Sequence, residues 1–129
     1  MRLLLDSHAV LWALYEPNEL SANVRTLLAD KANELVVSHI TVLEIVNKAS
    51  VHRLPMAGSS VSRIIEQISA LGVAFLPLTL ADITNAAELP HHHDDPFDRI
   101  LVAQAQTHSL HLVSKDRRMP LYDVDIIWR

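Results

Sequence analysis

Cysteine is absent from this 129-residue chain. Without cysteine the protein can form neither disulfides nor thiolate metal sites, and a reducing cytoplasm is its expected compartment. Long apolar runs are also absent, since the longest, from Ala9 to Tyr15, falls far short of the roughly 20 residues that a membrane-spanning helix needs. The N-terminus begins like a signal peptide, but Asp6 and His8 interrupt its apolar run early. We therefore expect a cytoplasmic protein with no membrane partner.

The chain also lacks an excess of positive charge, because its formal net charge is -4 with histidines neutral. A protein that binds nucleic acid without cleaving it usually carries a net positive charge, because contacts to phosphates dominate its affinity. Mild acidity is compatible with a nuclease, whose carboxylates hold cations that in turn hold phosphates. The charge therefore argues against a plain binding module and favours catalysis.

Apolar residues make up half of the sequence, which is enough for a core, and the length fits one domain over residues 1–129. Short apolar runs predict strands, and amphipathic stretches predict helices. The predicted strands are Arg2–Leu5, Glu34–Ser38, Val73–Leu76 and Leu110–Ser114, with Val124–Trp128 as a candidate fifth. The predicted helices are His8–Tyr15, a segment from Ser21 through Leu28, Thr41–Arg53, Val61–Leu71 capped by Ser59 or Ser60, Thr79–Leu89 and Pro96–His108.

Apolar strands that alternate with helices predict an α/β fold, in which a mainly parallel central sheet of four to five strands has helices on both faces. In the third helix the expected apolar positions are Ile40, Leu43, Val46 and Val51. In the fourth they are Val61, Ile64, Ile65, Ile68 and Leu71.

Four carboxylates occupy comparable places in this predicted fold. Asp6 closes the first strand, and Asp116 lies just beyond the fourth. Glu44 lies early in the helix that follows the second strand, and Asp98 lies in the first turn of its helix. Because the carboxyl ends of parallel strands converge on one crevice, all four side chains could point into the same cavity.

Carboxylates held together without cations repel one another and raise each other's pKa. Such a cluster persists mainly when a divalent cation compensates its charge, and Mg²⁺ suits it best because it prefers oxygen ligands and often bridges to phosphates. Cations of this kind activate water and stabilise the charge that develops on a phosphodiester. No histidine or cysteine is expected at the core of the cluster, so Zn²⁺ is a poorer fit. The residues alone thus predict an acidic metal site but do not specify its function.

Each acid also has an ordinary structural explanation. Asp6 could be an N-cap, Glu44 could form a surface ion pair with Lys48 four residues later, and Asp116 could belong to a charged turn. Asp95 could cap the last long helix, with Asp98 favoured by the helix dipole. These explanations do not account for four such residues at the same edge of a sheet.

Four segments in chain order resemble the motifs of PIN domains, in particular those of VapC-like toxins. They are Leu4–Trp12, Ser38–Ile45, His92–Ala105 and Leu112–Asp116, the last followed by Tyr122 and Trp128. The resemblance covers essentially the whole chain, and the third segment is the most specific. It implies a single PIN-like domain and a ribonuclease that hydrolyses RNA phosphodiesters with Mg²⁺ or Mn²⁺.

The resemblance also implies roles for individual residues. The metal-binding, catalytic carboxylates would be Asp6, Glu44, Asp98 and Asp116, supported by the Ser114 hydroxyl and by Asp95 as a cap or outer support. Toxin members of the family are neutralised by a cognate antitoxin and commonly form homodimers, so both partners are expected here. Asp94 stands where relatives often have arginine, which leaves the RNA contacts of this loop open.

Further residues have two interpretations each. The run His91–His93 could bind a transition metal, but we expect a solvated loop because consecutive histidines do not face one point. His8 could transfer protons or contact RNA, or could simply begin a helix. Four cations could contact phosphate or be solvated, namely Arg99, Lys115, Arg117 and Arg118. Leu11, Trp12 and Tyr15 could be core or could line a face for an antitoxin or a second subunit.

Three other functions compete with a toxin ribonuclease. A signalling receiver domain would need paired acids after the first strand and an acceptor aspartate after a central strand, whereas Asp6 stands alone and Glu44 lies in a helix. A non-catalytic PIN-like RNA-binding scaffold usually lacks one or more of the acids that are all present here. A housekeeping RNA-processing PIN nuclease would share the chemistry and differ from a toxin in its target.

Overall fold

A computed structural model describes residues 1–51 and 54–129. The strands are β1 (Arg2–Leu5), β2 (Glu34–Ser38), β3 (Ala74–Leu76), β4 (His111–Val113) and β5 (Ile126–Ile127). The helices are α1 (Ser7–Tyr15), α2 (Ala22–Ala29), α3 (His39–Val51), α4 (Val61–Ser69), α5 (Leu80–Ala87) and α6 (Pro96–His108), with short 3₁₀ turns at Pro17–Glu19 and Met119–Leu121. Among these residues no helix combines the length and the apolar composition that crossing a membrane requires.

The five strands form one sheet in the order β3-β2-β1-β4-β5, and every pairing is parallel. Side chains of β1 alternate between two apolar clusters, with Leu3 and Leu5 in one and Leu4 in the other. Residues of α1, α2 and α4 pack in the first cluster, residues of α6 pack in the second, and α3 contributes to both. The predicted α/β fold, with a parallel sheet and helices on both faces, is therefore confirmed.

The chain direction across the sheet reverses between β1 and β4. From β1 the chain moves outward through β2 and β3, and it then returns to the other side of β1 with β4. Ligands of open parallel sheets bind outside the carboxyl ends of the strands at such a switch point. Receiver domains have the strand order 2-1-3-4-5, so the observed order excludes that alternative.

Local side-chain caps set the starts of several helices, as the sequence predicts. Ser21 begins α2 and Ser60 begins α4, and each hydroxyl accepts a hydrogen bond from a backbone N–H three residues later. Thr79 begins α5 in a reciprocal capping box with Asp82. Asp95 begins α6 and is followed by Pro96 at the first helical position.

Two predicted helix faces are partly wrong. Leu43 and Val51 of α3 are exposed, because α3 turns the row Thr41, Ile45 and Ala49 toward the core. These three residues are spaced by four and form one stripe, and a helix on a sheet buries one stripe only. Val61 and Ile65 of α4 are exposed for the same reason. Helix α3 also begins at His39, two residues earlier than predicted, and its predicted end at Arg53 lies outside the described residues.

Candidate metal centre

All four carboxylates singled out in the sequence line one cavity of about 320 Å³. The cavity lies at the carboxyl ends of β1 and β4, where the chain direction across the sheet reverses. The acidic members are Asp6, Glu44, Asp95, Asp98 and Asp116, and the other lining residues are Ser7, His8, Trp12, Lys48, Lys115 and Arg118. Residues from four separate stretches of the chain thus meet in one place.

Asp6 lies at the floor of the cavity and is buried, with 6% of its surface exposed. It directly follows β1, and its Oδ1 accepts a hydrogen bond of 2.8 Å from the backbone N–H of Ala9, which caps α1. The N-cap explanation for Asp6 is therefore correct, but the same carboxylate also faces the cavity. A cap needs one carboxylate oxygen, so capping does not account for the burial of the whole group among other acids.

Asp95 and Asp98 divide two tasks at the start of α6. Asp95 is the N-cap, because its Oδ1 accepts from the backbone N–H groups of Phe97 at 2.9 Å and Asp98 at 3.1 Å. The prediction that Asp95 caps this helix is confirmed. Since capping is supplied by Asp95, the Asp98 side chain makes none of these contacts and faces the cavity instead.

Asp116 is held on a turn that follows β4. The buried Ser114 hydroxyl accepts a hydrogen bond of 3.2 Å from the Asp116 backbone N–H. The Asp116 carboxylate accepts two hydrogen bonds from the Arg118 guanidinium, at 3.1 Å and 2.8 Å. Ser114 therefore orients the turn that presents Asp116 to the cavity.

Glu44 forms an ion pair with Lys48 in the wall of the cavity. The Lys48 ammonium lies 3.8 Å from Glu44 Oε1, one helical turn along α3. This is the ion pair expected from the spacing, but it lies in the cavity and is well covered, with 14% of the Glu44 side chain exposed. Sequence reasoning treated Lys48 as a surface partner and missed it as a residue of the site.

Burial raises the pKa of two of the four acids. The Asp6 pKa rises to about 6 because burial disfavours its charged form, and the negative charge of Glu44 adds to this effect against the opposing hydrogen bonds from Ala9 and Ser114. Burial and the neighbouring Asp95 raise the Asp98 pKa to about 6, with His93 opposing. Hydrogen bonds from Arg118 instead lower the Asp116 pKa. A cation bound among these groups would relieve the cost of ionising Asp6 and Asp98.

The raised pKa of Asp6 predicts a pH-dependent stability of the metal-free protein. Because the folded-state pKa of about 6 exceeds the ordinary 3.8, the native state holds more protons than the unfolded state between these values, so the free energy of unfolding falls as the pH rises through this interval. Ionised Asp6 then costs the fold about 3 kcal/mol. We expect Asp6→Asn to be more stable than the parent at pH 7.5 in EDTA and to lose that advantage near pH 4, as measured by urea unfolding. A difference in stability that is independent of pH would contradict this prediction.

The donor set fits a hard divalent cation. It consists mostly of carboxylate oxygens, which Mg²⁺ and Mn²⁺ prefer. One histidine nitrogen lies close to them, since atoms of His93, Asp98 and Asp116 that could bind a metal all lie within 4.8 Å of one another. The expectation that no histidine lies near the core of the cluster is therefore wrong.

His93 also departs from the solvated loop predicted for His91–His93. His91 and His92 are exposed, but 8% of the His93 surface is exposed and its ring contacts Tyr122 and Asp98. The loop folds back onto Tyr122, which lies in a later part of the chain and shares no periodicity with it. Sequence reasoning missed Tyr122 as a neighbour of the site.

Arg99 was expected to contact phosphate or to be solvated, and both interpretations are wrong. Its guanidinium is buried and donates hydrogen bonds to backbone carbonyls at the end of α5 and in the following loop, at Ala86, Leu89, Pro90 and His93. A cation is favoured at the carboxyl end of a helix, where the last carbonyls lack partners. Arg99 therefore anchors the loop that carries His93 and Asp95.

The other candidate cations lie where contact with a polyanion is feasible. Lys115 and Arg118 line the cavity beside Lys48. Arg117 lines an adjoining groove of about 720 Å³ that shares Lys115 and Asp116 with the cavity. The nearby first-helix residues Leu11, Trp12 and Tyr15 are half-buried against the core, and they also line a neighbouring cavity of about 320 Å³ with His8 and Lys48.

Comparison with known proteins agrees with the α/β fold described above. The sequence matches the PIN domain family over residues 3–126. It is 32% identical to Ribonuclease VapC22 of Mycobacterium tuberculosis over 121 residues. This aligned region covers 91% of this chain and 88% of the relative. Several solved structures share the fold. One is VapBC2 from Rickettsia felis bound to a promoter DNA fragment, with a TM-score of 0.73, 14% identity and full coverage of both chains. Another is DNA-bound VapBC from Salmonella typhimurium, with a TM-score of 0.73, 13% identity and coverage of 98% of this chain and 97% of the other.

Proposed function

This chain belongs to the PIN domain family, and from that premise we propose that it is a ribonuclease that hydrolyses RNA phosphodiester bonds with bound Mg²⁺ or Mn²⁺. The observation that carries the proposal is the convergence of Asp6, Glu44, Asp98 and Asp116 on one cavity at the switch point of the sheet. A cluster of acids with two raised pKa values is unfavourable in a fold unless a cation compensates it.

In this proposal the four carboxylates hold the metal, and Ser114 and Asp95 support them. When bound, a divalent cation supplies an activated water and stabilises negative charge on the phosphate oxygens. Ser114 holds the Asp116 turn in place, while Asp95 takes up the capping duty at α6 and so leaves the Asp98 side chain free.

The remaining lining residues suit a phosphodiester substrate. Lys48 and Lys115 place positive charge around the acidic floor, where they can bind the phosphate groups that flank the cleaved one. The His8 ring stacks on Trp12 with centroids 5.3 Å apart. Burial and the charge of Lys48 lower the His8 pKa, so its ring is neutral at neutral pH and can accept a hydrogen bond from a hydroxyl or a water.

We further propose that the protein is the toxin of a toxin–antitoxin pair and acts in the cytoplasm. The similar structures with VapBC names are complexes, and the 32% identical relative is named a ribonuclease of the VapC type. By the same family resemblance we propose a cognate antitoxin partner and a homodimer. Induced expression should arrest growth, and co-expression of the small open reading frame beside the gene should relieve the arrest. Growth without arrest would favour a housekeeping RNA-processing nuclease.

Metal removal is the direct test of the catalytic proposal. We expect purified protein to cleave structured RNA in Mg²⁺ or Mn²⁺, to lose that activity in EDTA, and to regain it when excess Mn²⁺ is added. The reason is that the clustered carboxylates repel the phosphate to be cleaved unless a divalent cation lies between them. Cleavage is measured on end-labelled RNA by gel electrophoresis, with the same RNA plus metal as a blank. Metal-dependent RNA binding without cleavage would indicate the scaffold alternative, and cleavage at full rate in EDTA would refute the proposal.

A further inference from the structure

We propose that His93 is a positioning residue whose ring N–H holds the Asp98 carboxylate in place for the metal, and that Tyr122 and Arg99 determine which ring nitrogen carries that proton. The inference rests on the proposed function, because it assigns Asp98 to the metal. It adds three residues to the site that are neither acids nor cation ligands in this arrangement. All three are buried, with exposed fractions of 8% for His93, 4% for Tyr122 and 6% for Arg99.

The hydrogen bonds form a chain that begins at Arg99. A guanidinium can only donate, so the bond of 3.3 Å between Arg99 Nη1 and the Tyr122 hydroxyl has the tyrosine oxygen as acceptor. The hydroxyl proton of Tyr122 then points elsewhere. Two atoms of His93 lie within its reach, Nδ1 at 2.7 Å and the carbonyl oxygen at 3.5 Å, and the shorter contact favours Nδ1 as the acceptor. Tyr122 therefore donates to Nδ1.

A neutral imidazole that accepts at Nδ1 carries its proton at Nε2. That nitrogen lies 3.3 Å from Asp98 Oδ2, where a proton makes the contact attractive and a lone pair would repel the carboxylate. One tautomer, with its proton on Nε2, thus satisfies both ends of the chain. The direction of donation is Arg99 to Tyr122, Tyr122 to His93, and His93 to Asp98.

This direction has a consequence for metal binding. With its Nε2 protonated, His93 cannot be a metal ligand, although the nitrogen lies within 4.8 Å of ligand atoms of Asp98 and Asp116. It acts instead from outside, as hydrogen-bond partners of metal ligands commonly do, by orienting the carboxylate. Among the described residues, no donor is hydrogen-bonded to the other oxygen of Asp98, which leaves that oxygen for the cation.

The tautomer can be measured directly on the native protein. Long-range ¹H–¹⁵N spectra of histidine-labelled protein at pH 7.5 distinguish a protonated ring nitrogen from an unprotonated one, and His93→Gln assigns the signals. We expect Nδ1 unprotonated and Nε2 protonated in EDTA, with the same pattern in saturating Mg²⁺. A proton on Nδ1, in the other tautomer or in the imidazolium, would overturn the inference, as would loss of the Nε2 proton when metal binds. This measurement does not depend on catalysis.

Variants test the consequence for the metal. Mn²⁺ binding without RNA is titrated by electron paramagnetic resonance, and cleavage is measured in parallel. We expect His93→Asn and Tyr122→Phe to weaken Mn²⁺ binding by about 10- to 100-fold, the range found for outer partners of metal ligands. His93→Gln should restore much of the affinity, because the glutamine amide can place an N–H where Nε2 lies and the shorter asparagine cannot. His91→Gln, on the exposed part of the same loop, is the matched control and should bind like the parent.

The outcomes separate this inference from the proposed function. If the parent protein binds no Mn²⁺ and cleaves no RNA, the proposed function is wrong. If the parent binds Mn²⁺ and both His93→Asn and Tyr122→Phe bind it equally well, only the positioning role is wrong. Equal losses in His93→Gln and His93→Asn would show that the ring matters only for packing, and would also overturn it. Thermal melts of each variant identify any that fail to fold, and in that case the tautomer measurement decides.

Discussion

Replacing Asp98 with asparagine should reduce RNA cleavage by more than about 100-fold while the protein stays folded. Outer partners of metal ligands already account for about 10- to 100-fold in affinity or activity, and a direct ligand should account for more. Asparagine is nearly the same size and removes the charge that a cation needs. It also removes the cost of ionising a carboxyl whose pKa lies at about 6, so the metal-free variant should be at least as stable as the parent at neutral pH. Single-turnover cleavage rates and urea unfolding in EDTA measure the two effects.

Asp123→Asn is the matched control for this experiment. It makes the same chemical change at an exposed position outside the cavity, and we expect its cleavage rate to equal that of the parent. Full activity of the Asp98→Asn protein would rule out the assignment of Asp98. Loss of activity together with loss of folded structure would show that Asp98 acts through stability, contrary to the prediction.

Replacing Arg99 with methionine should lower the free energy of unfolding by about 3 kcal/mol or more. The guanidinium donates to four backbone carbonyls and to the Tyr122 hydroxyl, and a buried acceptor left without a donor costs about 1–3 kcal/mol. Methionine fills a similar volume but donates nothing. For a domain of this size the loss corresponds to a fall of about 10 °C in Tm. Urea unfolding and thermal melts in EDTA provide the measurement.

Two further variants separate hydrogen bonding from charge. Arg99→Lys keeps the charge but lacks the planar fork that reaches both sides of the loop, so we expect it to be almost as destabilising as Arg99→Met. Arg63→Met, on the exposed face of α4, should change the stability by less than about 0.5 kcal/mol. If Arg99→Met were as mild as Arg63→Met, the anchoring role of Arg99 would be wrong.

The acids of the site were predictable because of where they stand in the sequence. Asp6 and Asp116 follow apolar runs that predict strands, and the carboxyl ends of parallel strands lie at the same edge of a sheet. Glu44 and Asp98 lie near the starts of helices that leave the same edge. The caps at Ser21 and Asp95 were also predictable, because an N-cap side chain accepts hydrogen bonds from backbone N–H groups only two or three residues later.

The wrong expectations have a different physical origin. Leu43 and Val51 were assigned to a buried face, but apolar spacing alone does not say which stripe of α3 the sheet covers. Packing selected the row that contains Thr41 and Ala49, whose small side chains let the helix approach. His93 lies in a polar stretch, and Arg99 is adjacent to an acid. The sequence around each position therefore predicts a solvated side chain.

The amino-acid order by itself determined the alternation of strands and helices, the helix caps and the edge of the sheet at which the acids gather, because each depends on local periodicity or on the direction of the chain. Only the tertiary structure decided that the loop before α6 folds inward, with Arg99 capping the end of α5 and His93 between Tyr122 and Asp98. Those contacts join groups up to 29 residues apart through individual hydrogen bonds, and such pairings leave no repeating pattern in a sequence.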